Sequence, residues 1–152
     1  MKELIDRYQL APHPEGGYYK EIFRSDHGVS SPFHQQKRSA VTHIYFLLLE
    51  GQVSRFHRVT HDEIWNFYEG DPLELISWDE KNLSIQTLGR ESVYAAVIPA
   101  GCYQAAESTG EYSLVGCTVA PGFDFNDFKF LEQDPSASDA LREQYPSHGR
   151  FI

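Results

Sequence analysis

The sequence has few cysteines, and they do not form a recognisable redox or metal motif. Cys102 and Cys117 are the only two, and neither belongs to a CxxC pair. A chain of 152 residues is long enough to bury a hydrophobic core without disulfide bonds. We therefore expect both cysteines to be small buried hydrophobic residues. Their scarcity, with the charged start MKELIDRYQL in place of an apolar signal segment, predicts a cytoplasmic location.

Basic residues and long apolar runs are also scarce. Lys and Arg number 13 against 22 Asp and Glu, which gives a formal net charge of −9. No basic stripe or tail is present, which argues against nucleic acid and anionic membrane surfaces as partners. The longest purely apolar run, residues 44–49, is far too short to span a bilayer. The expected partners are therefore a small-molecule ligand and a second copy of the chain.

Tyrosine and phenylalanine are abundant, with 9 and 10 copies, and both favour strands. Nine or ten short strand-like segments separated by Gly and Pro turns run from residue 18 to residue 119. Helical patterns occur only near the termini, at residues 2–9 and 136–144, the second with Ser136 as N-cap. This pattern predicts an all-β sandwich or barrel with short terminal helices, in one domain over residues 1–152.

Local patterns further predict two hairpins and one long loop. The hairpins pair residues 73–78 with 83–88 and residues 102–107 with 111–119. Residues 25–38 are polar and predict an exposed loop, with a role as a pocket lid left open.

The stretch from residue 51 to residue 70, GQVSRFHRVTHDEIWNFYEG, concentrates the residues most able to carry chemistry. His57 and Val59 share one strand face, and Glu63 opens the next strand with Trp65 and Phe67 on the same face. The stretch therefore predicts a cavity in which an imidazole, a carboxyl group and aromatic walls converge. Such a cavity is the usual form of a small-molecule site.

This stretch resembles the first motif of the cupin superfamily, G-x5-H-x-H-x3-4-E-x6-G. The matching positions are Gly51, His57, Val59, Glu63 and Gly70. The segment PAGCYQ resembles part of the second motif. More narrowly, HPEGGYYKEIFRS, THIYFLLLEG, FHRVTHDEIWNFYEG and VAPGFDFNDF are similar to the small uncharacterised family called cupin type 5, across about residues 3–130. The resemblance implies a double-stranded β-helix (jelly-roll) barrel, commonly a homodimer, and no established activity.

The departures from the cupin pattern bear on metal binding. Metal-binding cupins use two histidines and a glutamate from the first motif and a histidine from the second. Only His57 and Glu63 stand at matching positions, with Val59 and Gln104 at the other two. Valine cannot bind a metal, and glutamine offers only a neutral oxygen. A divalent metal held by His57, Glu63 and Gln104 is therefore an alternative that the sequence does not favour, and the cofactor stays unknown.

Three functions are left open. The first is an isomerase or epimerase for a sugar, nucleotide-sugar or keto acid, with His57 as acid/base and Glu63 as its orienting partner. The second is a non-catalytic module that binds such a ligand. The third is a metal-dependent cupin enzyme with a reduced ligand set. Further residues expected to line the pocket are Glu15, Tyr18, Trp65, Phe67 and Gln104.

Overall fold

The computed structural model describes residues 2–152 and contains two packed antiparallel β-sheets with helices on their outer faces. The first seven strands are β1 (Ala11–Pro12), β2 (Tyr18–Arg24), β3 (Gly28–Ser30), β4 (Lys37–Ser39), β5 (Thr42–Leu49), β6 (Val53–Val59) and β7 (Asp62–Gly70). The remaining six are β8 (Leu73–Trp78), β9 (Leu83–Leu88), β10 (Ala95–Ile98), β11 (Tyr103–Ser108), β12 (Tyr112–Ala120) and β13 (Phe128–Phe130).

The strand order is that of a double-stranded β-helix. One sheet has the order β1-β2-β5-β12-β7-β10 and the other β13-β6-β11-β8-β9, with β3 and β4 as a separate hairpin. Every paired strand in the described chain is antiparallel to its neighbour, as the jelly-roll prediction requires. The helices are α1 (Lys2–Tyr8), α2 (Pro135–Gln144) and three 3₁₀ helices (Phe125–Asp127, Leu131–Gln133 and Pro146–Phe151).

The hydrophobic core has a central layer and two outer layers. Alternate residues of both sheets meet in the central layer, where Phe46, Trp65 and Leu75 are almost fully buried. Helix α2 and the C-terminal 3₁₀ helix cover the outer face of the sheet that contains β6, and Leu141 contributes from α2. Helix α1 covers part of the other sheet, with Leu4 against the strands. Strand β6 is therefore packed on both faces, which holds the residues it carries in fixed positions.

The second predicted hairpin is wrong, because β11 and β12 lie in opposite sheets. β11 hydrogen-bonds with β6 and β8, whereas β12 hydrogen-bonds with β5 and β7. The turn between them crosses from one sheet to the other, and a turn signal does not specify which strands pair. The hairpin of β8 and β9 is confirmed, with Leu73 opposite Leu88 and Trp78 opposite Leu83.

Two local predictions also change. Residues 25–38 are not wholly irregular, because β3 lies within them and pairs with β4. Helix α2 is capped by Asp134, whose carboxylate accepts a hydrogen bond from the Ala137 N–H at 3.2 Å, and Pro135 opens the helix. Proline lacks an N–H and suits the first helical position, so the cap lies two residues before the predicted Ser136.

None of the helices in residues 2–152 combines the length and the apolar composition needed to cross a membrane.

Candidate functional site

A cavity of about 480 Å³ opens between the two sheets at the end where β2, β5, β6, β7 and β12 meet. Its buried end is formed by Glu15, His57, Val59, Glu63 and Cys117. Aromatic and charged residues form its outer part: Tyr19, Glu21, Arg24, Phe123, Asp124 and Phe125. The largely buried His13 side chain lies beside Glu15. Thr42, Ile44 and Val119 complete the lining. The cavity thus joins a few buried polar groups to an aromatic mouth, the arrangement expected of a small-molecule site.

His57 lies at the centre of the buried end and is held in one tautomer. Its Nδ1 donates a hydrogen bond to the Arg55 carbonyl oxygen at 2.7 Å, so a neutral ring keeps its free lone pair on Nε2. Burial lowers the pKa of His57 more than the charge of Glu63 raises it. The imidazole is therefore neutral at physiological pH, with Nε2 directed towards its acidic neighbours.

Glu15 reaches this histidine from the turn between β1 and β2. Its Oε2 lies 3.1 Å from His57 Nε2, and its Oε1 accepts a hydrogen bond from Ser54 Oγ at 2.7 Å. Burial raises the pKa of Glu15 to about 8, so at neutral pH the carboxyl carries a proton that it donates to His57. Gly16 makes this position possible, because its φ is 113° and a Cβ there would lie 2.1 Å from the Val53 carbonyl oxygen.

Glu63 and Gln104 complete the polar network. The Gln104 amide nitrogen donates to Glu63 Oε2 and lies 3.2 Å from His57 Nε2. The Gln104 carbonyl oxygen accepts from Trp65 Nε1 at 2.9 Å. An indole N–H only donates, so Trp65 fixes which end of the amide faces the cavity. Burial also raises the pKa of Glu63, to about 7.

These residues do not fit the four-ligand metal centre implied by the cupin resemblance. Val59 has no donor atom, and Gln104 presents its NH₂ group to His57 and Glu63, while its oxygen is bonded to Trp65. Within residues 2–152, the only three His, Cys, Asp or Glu residues with donor atoms all within 4.8 Å of one another lie outside this cavity. Gln104 is therefore unsuited to the role of a metal ligand, and the groups able to move protons in the cavity are its own acids and bases.

The structure places four of the predicted pocket residues away from the cavity wall. Tyr18 packs on the outer face of its sheet beside Leu47, and its neighbour Tyr19 lines the cavity instead. Trp65 and Phe67 are buried in the central core and do not line the cavity. Gln104 lies behind His57 and Glu63, so it orients them and does not form a wall. Of the predicted residues, the structure brings Glu15, His57 and Glu63 together at the cavity surface.

Two further residues at the cavity do not stand out in the sequence. The sequence places His13 in a plain turn, but its Nδ1 accepts from the Glu15 N–H at 3.2 Å and burial lowers its pKa to about 3. Cys117, expected in the core, lines the cavity beside Glu63, where burial raises its thiol pKa well above the usual value. Alternate residues on the paired strands β5 and β12 (Ile44 and Phe46, Cys117 and Val119) are apolar, which indicates that these side chains face inwards. This alternation is the sequence signal that could have placed Cys117 at the cavity.

The chain is similar to a family of the cupin superfamily and to an uncharacterised yeast protein. The family model described as "Cupin superfamily (DUF985)" matches residues 2–131. An uncharacterised protein of Saccharomyces cerevisiae, YML079W, is 28% identical over 151 residues, covering 87% of this chain and 75% of the yeast protein.

Two solved structures share both fold and sequence with this chain. A hypothetical protein from Leishmania major superposes with a TM-score of 0.83 at 34% identity, over 99% of this chain and 95% of its own. Protein SO0799 from Shewanella oneidensis gives a TM-score of 0.81 at 34% identity, over 98% of this chain and 92% of its own. The family match over most of the sequence, together with these structures, shows that the chain belongs to the cupin superfamily, in the family DUF985.

Proposed function

We propose that the protein is an isomerase or epimerase that moves protons on a small uncharged sugar-like molecule bound in the cavity. The observation that supports this is the convergence of neutral His57 with two buried carboxyl groups, Glu15 and Glu63, whose pKa values are raised to about 8 and about 7. Acids and bases that change protonation near the working pH are the most effective proton-transfer groups.

The arrangement supplies both partners of a carbonyl isomerisation. The substrate displaces the Glu15 hydroxyl from His57 Nε2, which frees the lone pair of this nitrogen. Nε2 then takes the proton from the carbon beside the substrate carbonyl, and the Glu63 carboxyl gives its proton to the carbonyl oxygen. His57 then returns its proton to the former carbonyl carbon of the resulting enediol, and Glu63 recovers a proton from the other enediol hydroxyl, which becomes the new carbonyl. Before the substrate binds, Glu15 and Gln104 hold His57 in position through their contacts with Nε2 at 3.1 and 3.2 Å. No other reactant is required.

The charges at the cavity mouth favour an uncharged substrate over a nucleotide-sugar or keto acid. Among the described lining residues, Arg24 is the only Lys or Arg. Glu21 binds its guanidinium at 2.9 and 2.7 Å, and the Phe123 carbonyl oxygen accepts from it at 3.1 Å. With Glu21 and Asp124 at the same mouth, a phosphate or carboxylate meets more negative charge than positive. Aromatic rings beside them offer a surface for the C–H face of a sugar.

Solvent deuterium exchange tests the proposal across many candidate sugars at once. The protein is incubated in D₂O with a panel of unphosphorylated aldoses and ketoses, and NMR follows deuterium entry at the carbon beside the carbonyl. Saturation-transfer difference NMR measures binding in the same samples. We expect exchange with at least one sugar, its loss in His57→Gln with binding retained, and no effect of His148→Gln, a histidine change at the far C-terminal helix.

One outcome would contradict catalysis and another would contradict the substrate class. Binding without exchange in the wild-type protein would favour the non-catalytic binding module. No binding of any uncharged sugar, with binding of a keto acid or nucleotide-sugar, would overturn the substrate class argued from the cavity mouth.

A further inference from the structure

A second cluster of metal-binding side chains lies outside the cavity, where three separate segments meet. His34 comes from the connection between β3 and β4, His61 from the turn between β6 and β7, and Asp127 from the 3₁₀ helix before β13. One donor atom from each lies within 4.8 Å of the other two. His34 Nε2 is 3.0 Å from Asp127 Oδ1, and His61 Nδ1 is 3.6 Å from Asp127 Oδ2.

These distances are close to those of a tetrahedral metal site. Nitrogen and oxygen ligands bound to zinc at about 2.0–2.1 Å are separated from one another by roughly 3.4 Å. The separation of 3.0 Å between His34 Nε2 and Asp127 Oδ1 is close to that value, the 3.6 Å from His61 Nδ1 is measured to the other carboxylate oxygen, Oδ2, and one donor atom from each residue lies within 4.8 Å of the other two. The three side chains therefore need only small adjustments to bind one ion.

His61 provides an independent sign that a ligand is missing. Its side chain is fully buried, and its Nε2 is hydrogen-bonded to Ser31 Oγ at 2.8 Å. Its Nδ1 has no hydrogen-bond partner within residues 2–152 and faces His34 and Asp127. Buried polar atoms almost always have a partner, and a histidine that binds metal usually has its second nitrogen bonded as His61 does to Ser31.

We propose that His34, His61 and Asp127 form a binding site for one divalent transition-metal ion such as Zn²⁺. Asp127 also lies on the wall of a separate cavity of about 410 Å³. A water molecule would complete a four-ligand set around the ion. The ion would tie the β3–β4 hairpin, through His34, to the end of the barrel.

Two neighbouring contacts set how tightly the ion is held. Arg38 donates to both oxygens of Asp127, at 2.7 and 2.8 Å, which leaves one lone pair on each oxygen for the ion. Its positive charge opposes a cation, so we expect binding in the micromolar range and not tighter. The Gln36 N–H donates to His34 Nδ1 at 3.1 Å. When His34 Nε2 binds metal, the ring proton moves to Nδ1, which can then no longer accept this hydrogen bond. The Gln36 N–H must therefore turn to solvent, and the exposed position of Gln36 allows this.

Zinc titration of the untagged, chelator-free protein tests the site. Calorimetry should show one Zn²⁺ per chain, and Co²⁺ should give the visible absorption bands of a four-coordinate ion. His34→Ala should weaken zinc binding at least about tenfold. His27→Ala is the matched control, because this exposed histidine lies in the same segment but outside the cluster, and it should leave binding unchanged.

The outcome of the zinc titration is independent of the proposed enzyme activity. Glu63→Gln alters the cavity and should leave zinc binding intact, even if it removes proton exchange. The site is overturned if the wild-type protein binds no Zn²⁺ or Co²⁺ at submillimolar concentration. It is equally overturned if Glu63→Gln abolishes binding while His34→Ala retains it, since the ion would then lie in the cavity.

Discussion

Glu15 is a buried acid whose protonation links the site to the stability of the fold. An ordinary glutamate in the unfolded chain has a pKa of about 4.5, and burial raises the pKa of Glu15 to about 8 in the folded protein. Between these values the folded protein holds a proton that the unfolded chain has released. The stabilisation from this group is therefore complete below about pH 4.5 and is lost as the pH rises towards 8.

Glu15→Gln should remove this dependence, because glutamine keeps the shape and has no proton to lose. Each pKa unit is worth about 1.4 kcal/mol, so wild type should lose several kcal/mol of unfolding free energy relative to the variant between pH 5 and pH 9. Urea unfolding of both proteins at pH 5, 7 and 9 measures this difference in unfolding free energy. Glu91→Gln, at an exposed turn, should run parallel to wild type. If Glu15→Gln also runs parallel, the carboxyl is not buried as described.

Val59 and Gln104 stand at the positions where a metal-binding cupin has histidines. Replacing both with histidine tests whether these two positions converge with His57 and Glu63. Val59 shares a strand face with His57, and Gln104 lies directly opposite His57 in the strand register. The combined change Val59→His and Gln104→His should therefore create a tight divalent metal site with His57 and Glu63.

This gain should be measured in a His34→Ala background, so that the proposed second site does not contribute. Metal content after gel filtration should rise by about one ion per chain relative to His34→Ala alone. If the metal content does not rise, the four side chains do not converge as the strand register indicates.

At the scale of elements, the turn between β1 and β2 places Glu15, and Gly16 controls its shape. A side chain at Gly16 would meet the Val53 carbonyl oxygen at 2.1 Å while the backbone holds φ at 113°. Gly16→Ala should therefore cost about 2 kcal/mol or more of unfolding free energy. It should also move the Glu15 carboxyl away from His57 and reduce any proton exchange.

Gly51→Ala is the matched control for this turn. Gly51 also has a positive φ, 75°, but no atom lies within 4 Å of the Cβ position, so only the backbone preference of about 1 kcal/mol is lost. Chemical denaturation of both variants gives the comparison. Equal losses would show that the Gly16 turn relaxes without strain.

The elements differ in how far the sequence determines them. The two-residue period turns His57 and Glu63 inwards, because Val59 shares the strand face of His57 and the apolar residues Trp65 and Phe67 share that of Glu63. It does not decide between Tyr18 and Tyr19, because both neighbours are aromatic. Further along the strand, the bulge between Glu21 and Phe23 shifts the phase, so that Arg24 lines the cavity together with Tyr19 and Glu21. The pairing of β11 and β12 depends on contacts between distant strands, which a local pattern does not contain.

The network around Gln104 also lies beyond what the sequence can predict. The orientation of the Gln104 amide can be inferred only once it is known that Trp65 donates a hydrogen bond to its carbonyl oxygen. Likewise, His13 and Glu15 are polar residues in a glycine-rich turn, the usual composition of a plain connection. Their role follows from the direction in which the turn folds, which Gly16 and Gly17 permit and no periodicity records.

At the scale of the whole molecule, the sheet containing β7 exposes a row of apolar side chains. Phe23, Ile64 and Val97 are 53%, 40% and 55% exposed. They lie in one line across the sheet, because Val97 is opposite Ile64, and Thr118 and His43 connect Ile64 to Phe23 in the register. An exposed apolar row on a flat sheet is typical of a surface that packs against another chain.

We expect two copies of the chain to pack through this face, in line with the homodimer implied by the cupin resemblance. Ile64→Glu places a charge in the row and should convert a dimer to a monomer in sedimentation at micromolar concentration. Ile85→Glu is the control, since Ile85 is 48% exposed on β9 of the other sheet and should leave the dimer intact. Each chain carries a net charge of −9, so added salt should strengthen the association. A wild-type monomer would contradict the dimer, and a dimer that survives Ile64→Glu but dissociates in Ile85→Glu would place the interface on the opposite sheet.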